Sequence, residues 1–189
     1  MIPSVIFNAA IVVLTAGAVA GHMKKAPPKV LLRFFTVLSN LLCALAALAV
    51  GIARLCGEAP QWVLVLKFVG TAAVSVTFLT VMCFLGPVVY DYKKMLTGPD
   101  LFLHLICPVL AIVSLLVWDM PAGGFWLVLL GMLPVVIYGV FYIYRVIFAP
   151  EDKRWQDFYG FNMGGKWVWS YIAMLAAAFL ISLALWLVG

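Results

Sequence analysis

The stretch DLFLHLICPVLAIVSLLVW, Asp100 to Trp118, decides the structural class of this protein. Between its two ends, His104 and Ser114 are the main polar side chains. An α-helix rises about 1.5 Å per residue, so an apolar run of this length crosses the hydrocarbon core of a bilayer. The stretch therefore predicts a membrane-spanning helix that carries a histidine about one turn from its start.

The rest of the chain repeats this apolar pattern. Its 189 residues are 67% hydrophobic and 10% charged, and the mean hydropathy is +1.17. A soluble domain of this size has too little polar surface to cover so apolar a chain. We predict an all-α polytopic membrane protein, a single domain over residues 1–189 with six transmembrane helices at 2–20, 30–53, 62–89, 101–118, 125–148 and 167–188.

The first span resembles a signal peptide only at its end, where AVAG occupies positions 18–21. A secretory signal carries basic residues ahead of its apolar core, and Met1 to Ser4 carry none. We therefore expect the first span to remain part of the protein as a helix.

Lysine and arginine residues are concentrated in alternate connections. Ten of the 12 lie in or beside the first, third and fifth connections, and only Arg54 and Lys67 belong to the other side. Connections rich in these residues stay in the cytoplasm, so we predict that both termini are non-cytoplasmic. Most of the net charge of +5 then lies on one face, where we expect membrane lipids with anionic head groups as partners and no nucleic acid.

Several functional classes fit the sequence poorly. All seven acidic residues fall in loops or at helix ends, whereas ion-coupled transporters usually hold an ionisable group near the membrane midplane. The four cysteines lack CxxC spacing, which argues against a metal site and against a disulfide framework. With two histidines, one of them in a predicted loop, a bis-histidine haem is not expected. We predict no cofactor.

Polar side chains recur near the predicted cytoplasmic ends of four spans. Thr36 is placed about 10 Å inside the second span and His104 about 5 Å inside the fourth, from the same side. The other members of this layer are Ser39 and Asn40 in the second span, Tyr138, Tyr142 and Arg145 in the fifth, and Asp157, Tyr159, Asn162, Lys166 and Ser170 around the start of the sixth.

This layer contains the groups needed for nucleophilic catalysis. A hydroxyl beside an imidazole that takes its proton is the minimum for a nucleophile and its base, which suggests Thr36 and His104. Asp100 lies one turn before the histidine and is a candidate for orienting the ring. The candidate oxyanion donors are Asn40, Tyr142 and Arg145, and the candidate substrate-pocket residues are Ser39, Tyr138, Asn162 and Lys166.

The same residues also have structural interpretations. Hydroxyls in membrane helices usually bond to a carbonyl of their own helix or to a neighbouring helix. Asp100 follows Thr-Gly-Pro and suits a helix N-cap, and the tyrosines and arginine of the fifth span suit a belt that reaches the interface. Thr77 and Thr80 form a rival hydroxyl pair without a histidine at matching depth, so we assign them to helix packing.

Three segments resemble the androgen-induced protein family and the bacterial membrane proteins grouped near it: RFFTVLSNLL (33–42), TFLTVMCFLGPVVYD (77–91) and LFLHLICPVLAIVSLL (101–116). The tail DFYGFNMGGKW (157–167) looks more like the bacterial relatives. The resemblance implies a multi-pass hydrolase of fatty acid esters of hydroxy fatty acids, with an intramembrane threonine nucleophile matching Thr36 and a histidine matching His104. It also implies the plasma membrane of a bacterium.

Our first expectation is therefore a membrane-embedded hydrolase of an amphipathic lipid ester. Thr36 would attack the ester carbonyl and His104 would act as the base. The alternative is a non-catalytic lipid-binding or facilitator-type membrane protein, in which the polar layer lines a binding pocket.

Overall fold

The structure, a computed structural model, describes residues 1–189 and contains no strand. Six helices are long and apolar enough to cross a membrane. We number them in chain order: α1 Ile2–Met23, α2 Phe35–Cys56, α3 Gln61–Val89, α4 Pro99–Asp119, α5 Trp126–Phe148 and α6 Trp167–Val188. The chain is an integral multi-pass membrane protein with an all-helical fold, which confirms the predicted class.

The helices alternate between two ends of the bundle. We call the end that carries residues 24–34, 90–98 and 149–166 the basic end, because most lysines and arginines lie there. Both chain termini lie at the opposite end. Which end faces the cytoplasm stays a prediction from the charge distribution.

The largest departure from the predicted spans is at the start of α2. We predicted a span from residue 30, but Pro28–Leu31 form a separate helical turn and α2 begins only at Phe35. The break lies at Phe34, whose backbone is extended with φ −91° and ψ 127°. Thr36 is therefore the second residue of α2, rather than a residue about 10 Å inside the helix.

Helix α3 is central and packs against α2, α4, α5 and α6. Glycine allows its close approach to α2, since a Cβ added at Gly70 would lie 2.9 Å from the Cα of Cys43. One apolar cluster joins α1 to α4 through Ile11, Cys43, Ala47, Val74 and Ala111. A second cluster joins α3 to α6 through Phe68, Ala72, Leu115, Leu127 and Leu185.

Four stretches of the spanning helices are π-helical: Val81–Val89, Phe102–Ile106, Leu115–Asp119 and Tyr144–Phe148. Pro87 lies inside the first stretch and Pro108 follows the second, whereas Pro134 lies in an α-helical part of α5. Proline has no backbone N–H to donate, and wider turns often occur at functional positions of helices. Three of the four stretches lie towards the basic end, and one of them carries His104.

Candidate active site at the basic end

Two cavities lie side by side within the basic end. The larger has a volume of about 590 Å³ and is lined mainly by apolar side chains of α2, α3, α5 and α6. The smaller has a volume of about 260 Å³ and lies between α1, α2, α3 and α4. Thr36, Leu85 and Tyr159 line both cavities. Thr36 and His104, the predicted reacting pair, both line the smaller one.

His104 is buried in the first turns of α4, with 4% of its surface exposed. Its Nδ1 lies 2.7 Å from the carbonyl oxygen of Met95, in the connection before α4. Because a carbonyl only accepts hydrogen bonds, Nδ1 carries the proton in this arrangement. The lone pair of the neutral ring is then on Nε2, so the fold fixes the tautomer that a general base requires.

Thr36 lies half-buried in the first turn of α2. Its carbonyl accepts hydrogen bonds from the Asn40 amide at 2.8 Å and the Ser39 hydroxyl at 3.2 Å. Its hydroxyl forms no hydrogen bond with His104, although both residues border the same cavity. The structure therefore brings the two predicted residues to one site without joining them directly.

Tyr159, in the fifth connection, completes the wall between the cavities. Its hydroxyl accepts a hydrogen bond from the N–H of Phe35 at 2.8 Å and lies beside Thr36. Burial raises the pKa of Tyr159 to about 12, while the contacts with Phe35 and Thr36 partly offset that effect. The hydroxyl stays protonated at neutral pH and is available to donate a hydrogen bond. Sequence reasoning placed Tyr159 in the polar layer but gave it no role.

Asp157 organises the connection that delivers Tyr159. Its carboxylate accepts hydrogen bonds from the Tyr142 hydroxyl at 2.9 Å and from the N–H groups of Phe161 and Asn162 at 2.9 and 2.7 Å. The Tyr142 hydroxyl accepts in turn from the N–H of Tyr159 at 3.2 Å. The connection is thus folded back against α5 and fixed beside the start of α2.

Asn40 was expected to donate to an oxyanion, but the structure gives its amide other partners. The Nδ2 group donates to the carbonyls of Thr36 at 2.8 Å and Leu103 at 3.0 Å, while the buried Oδ1 has no partner. Both amide protons are therefore used by backbone groups. Asn40 links α2 to α4 directly beside His104, and it positions the site rather than donating into it.

Asp100 was expected to orient His104, but its carboxylate lies 3.2 Å from Nε2 of His22. His22 belongs to the last turn of α1, which runs beyond the predicted span. The ring of His104 is held instead by the Met95 carbonyl. Asp100 still lines the smaller cavity, where its contact with His22 links α1 to α4.

The polar side chains of α5 also have partners away from Thr36. The hydroxyl of Tyr138 donates to the Arg33 carbonyl at 2.7 Å, and that of Tyr142 donates to Asp157. The guanidinium of Arg145 lies 5.0 Å from the ring centre of Trp155, and Arg145 lines neither cavity. The predicted oxyanion role of Tyr142 and Arg145 therefore does not fit this arrangement.

The four predicted pocket residues divide into two groups. Tyr138 and Lys166 line the larger cavity. Ser39 is buried against Thr77, with 2.9 Å between their hydroxyl oxygens, and Asn162 is exposed on the fifth connection. Ser39 and Asn162 line neither of the two cavities. The contact of Ser39 with Thr77 supports the helix-packing role expected for Thr77.

A second polar cluster, which we did not predict, lies at the opposite end. We call it the buried-charge cluster, and it consists of Ser4, Asn8, Arg54, Lys67, Ser114 and Asp119. The Asp119 carboxylate accepts hydrogen bonds from the side chains of Ser4, Asn8 and Ser114 at 2.7, 2.7 and 2.8 Å. It also forms a salt bridge with Arg54, whose Nη2 lies 3.6 Å away. Lys67 donates to Oδ1 of Asn8 at 2.7 Å.

Both charged groups at the centre of this cluster, Lys67 and Asp119, have 0% exposure. Asp119 does lie at a helix end, as expected, yet it is not at the surface. Only Asn8 and Lys67, polar residues inside apolar runs, signalled the cluster in the sequence. No member lines either of the two cavities.

No group of three or more His, Cys, Asp or Glu side chains is arranged to hold a metal ion, and all four cysteines are free thiols. Comparisons with protein-family models, with curated proteins and with solved structures found no match to this chain.

Proposed function

We propose that this protein is a membrane-embedded hydrolase of lipid esters. The observation that carries the proposal is that Thr36 and His104 border one cavity while the Met95 carbonyl holds the proton on Nδ1 of the histidine. The lone pair on Nε2 suits a general base. A hydroxyl within reach of such a base is the minimum for nucleophilic catalysis.

The reaction proceeds in two halves. Oγ1 of Thr36 attacks the ester carbonyl carbon while Nε2 of His104 takes the hydroxyl proton. The bond between the acyl carbon and the alcohol oxygen breaks, and the histidine returns the proton to that oxygen. Water then attacks the acyl-threonine by the same route, which releases the fatty acid and restores the threonine hydroxyl. Substrate binding has to bring Thr36 and His104 into hydrogen-bond contact, as such contacts commonly tighten on binding.

Tyr159 and the start of α2 supply the oxyanion donors in this proposal. The protonated hydroxyl of Tyr159 lies beside Thr36, at the wall shared by both cavities. The first N–H groups of a helix have no partner within the helix, and the helix dipole favours negative charge there. The N–H of Thr36 is one of these groups, and the Tyr159 hydroxyl lies against it. Donors held in place before the charge develops stabilise it most effectively.

The larger cavity suits the acyl chain. Its volume of about 590 Å³ falls within the range of about 300–1,000 Å³ usual for ligand sites. Seventeen of its 24 lining residues are hydrophobic, so it favours an alkyl chain over a polar one. The segments around Thr36 and His104 support a further proposal, that the chain belongs to the bacterial branch of the androgen-induced protein family and lies in the plasma membrane with its basic end in the cytoplasm.

The test is turnover of 4-nitrophenyl palmitate by purified protein in detergent micelles. Wild type should release 4-nitrophenol, and Thr36→Ala and His104→Ala should each reduce the rate to background. Thr97→Ala is the matched control, because Thr97 is an exposed threonine at the basic end that lines neither cavity. Equal rates in wild type and Thr36→Ala would contradict the proposal.

The second candidate is a non-catalytic lipid-binding or facilitator-type protein. It is favoured by the absence of a hydrogen bond between Thr36 and His104, and by the engagement of the Asn40 amide with backbone carbonyls. In that case Thr36→Ala would change lipid affinity by a small factor, and no ester would be cleaved.

A further inference from the structure

The two cavities differ in size, and an ester held at their shared wall must divide between them. A methylene group takes up about the 30 Å³ that a water molecule occupies in the liquid, so the smaller cavity holds roughly nine non-hydrogen atoms and the larger roughly twenty. One cavity therefore has room for a full acyl chain, whereas the other does not.

The cavities also differ in charge. The smaller is bordered by His22, Lys94, Asp100 and His104, while the only charged side chain at the larger is Lys166. His22 and Asp100 pair with each other at 3.2 Å. Lys94 forms no salt bridge, and its ammonium lies 4.7 Å above the ring of Tyr90. Lys94 is thus the lysine at this cavity without a carboxylate partner.

The position of the nucleophile assigns each half of the ester to a cavity. Thr36 lines both, so a carbonyl carbon at its hydroxyl has one substituent on either side. The apolar chain is stabilised by the larger cavity, because burying alkyl surface is favourable there. The alcohol part of the ester then occupies the smaller cavity, which Lys94 lines.

We propose that the substrate is a single-chain lipid ester whose alcohol part is compact and anionic, an acyl glycerol phosphate being the simplest form. The inference rests on the proposed hydrolase function. Hydrolysis would consume one water, break the bond between the acyl carbon and the alcohol oxygen, and release a fatty acid and the anionic alcohol. An ester of two long chains, such as a fatty acid ester of a hydroxy fatty acid, would leave its second chain without room in the smaller cavity.

The experiment compares four oleoyl esters at equal concentration in detergent micelles, with fatty acid release measured by mass spectrometry. They are lysophosphatidic acid, lysophosphatidylcholine, monooleoylglycerol and the oleoyl ester of 12-hydroxystearic acid. The first should be cleaved fastest, the zwitterionic and neutral single-chain esters more slowly, and the two-chain ester slowest. Cleavage of the two-chain ester at the highest rate would overturn the inference while leaving the hydrolase intact.

Lys94→Gln is the decisive variant and Lys93→Gln its matched control. Lys93 is the adjacent lysine and lines neither cavity. Lys94→Gln should lower the preference for lysophosphatidic acid over monooleoylglycerol about three- to fivefold, the size of effect that an exposed ion pair gives, and Lys93→Gln should leave it unchanged. Equal effects of both variants would overturn the role of Lys94. Release of no fatty acid from any ester would defeat the proposed function itself.

Discussion

The two polar regions of this bundle are built from similar side chains but use them differently. At the opposite end, both oxygens of the buried Asp119 are occupied by protein donors from α1, α2 and α4. At the basic end, the side chains of Thr36 and His104 are not bonded to each other, and the two residues line one cavity. A buried polar group whose hydrogen-bond donors and acceptors are all paired within the protein holds helices together. A polar group beside a cavity that keeps a free donor or acceptor is suited to binding a ligand.

The largest difference between the two regions should appear in catalysis. Thr36→Ala should lower ester turnover by a factor on the order of 10³ or more, because the reaction loses its nucleophile. The unfolding midpoint of the same protein should stay close to that of wild type, since the Thr36 side chain is only half-buried and its polar neighbour is the Tyr159 hydroxyl. Turnover and thermal unfolding, measured on one preparation, check both parts.

The reverse pattern is expected in the buried-charge cluster. Asp119→Ala should lower the free energy of unfolding by about 3–5 kcal/mol, because it leaves buried donors without their acceptor. Turnover per folded molecule should be unchanged. Glu58→Ala removes an exposed acid near the same end and should have little effect on unfolding in mild detergent. Equal stability of the Asp119 and Glu58 variants would show that the cluster does not hold the helices together.

Tyr159→Phe tests the donor at the shared wall. Loss of one oxyanion donor should reduce kcat about 10²-fold with little change in KM, because the interaction forms in the transition state. Asn40→Ala serves as the comparison, since its amide is engaged with carbonyls and should act mainly on stability. A larger loss of kcat in Asn40→Ala than in Tyr159→Phe would support the oxyanion role that the sequence predicted for Asn40.

The raised pKa of Tyr159 predicts a pH dependence of stability. The folded protein keeps this hydroxyl protonated up to a pKa of about 12, while the unfolded chain ionises near 10.0. Its contribution to stability should therefore be constant below about pH 10 and lost progressively between about pH 10 and 12. The difference in unfolding midpoint between wild type and Tyr159→Phe, measured across this range, isolates that contribution from the other tyrosines.

The smallest effect is expected at Asp100. If it oriented His104 as a triad carboxylate, Asp100→Asn would lower kcat about 10⁴-fold. Because the carboxylate pairs with His22 and the ring is held by Met95, a change of about twofold or less in kcat is expected. Steady-state kinetics of this single variant decide between the two arrangements.

Apolar length alone was enough to predict the six helices. The bounds of α6 were predicted at 167–188 and occur there, since Gly164 and Gly165 precede it and both have positive φ. The start of α2 was misplaced because Phe34 and Phe35 are apolar and give no sign of the extended backbone between Pro28–Leu31 and the helix.

Parts of the candidate site were readable as well. Thr36 and His104 were paired in one polar layer, and they do line one cavity, although the depth predicted for Thr36 was wrong. The contact between His104 and the carbonyl of Met95 could not be predicted from the sequence, because every residue has a backbone carbonyl. Asn8 and Asp119 are 111 positions apart, so their contact depends on helix packing that no local pattern encodes.

The most direct test of the central claim, that His104 activates Thr36, is covalent labelling with a fluorophosphonate probe. Purified wild type, His104→Ala and Thr97→Ala would be treated in detergent, and the modified residue located by mass spectrometry. We predict an adduct on Thr36 in wild type and in Thr97→Ala, and none in His104→Ala. An adduct on Thr36 that persists without His104, or none in folded wild type, would contradict an activated threonine and favour the lipid-binding alternative.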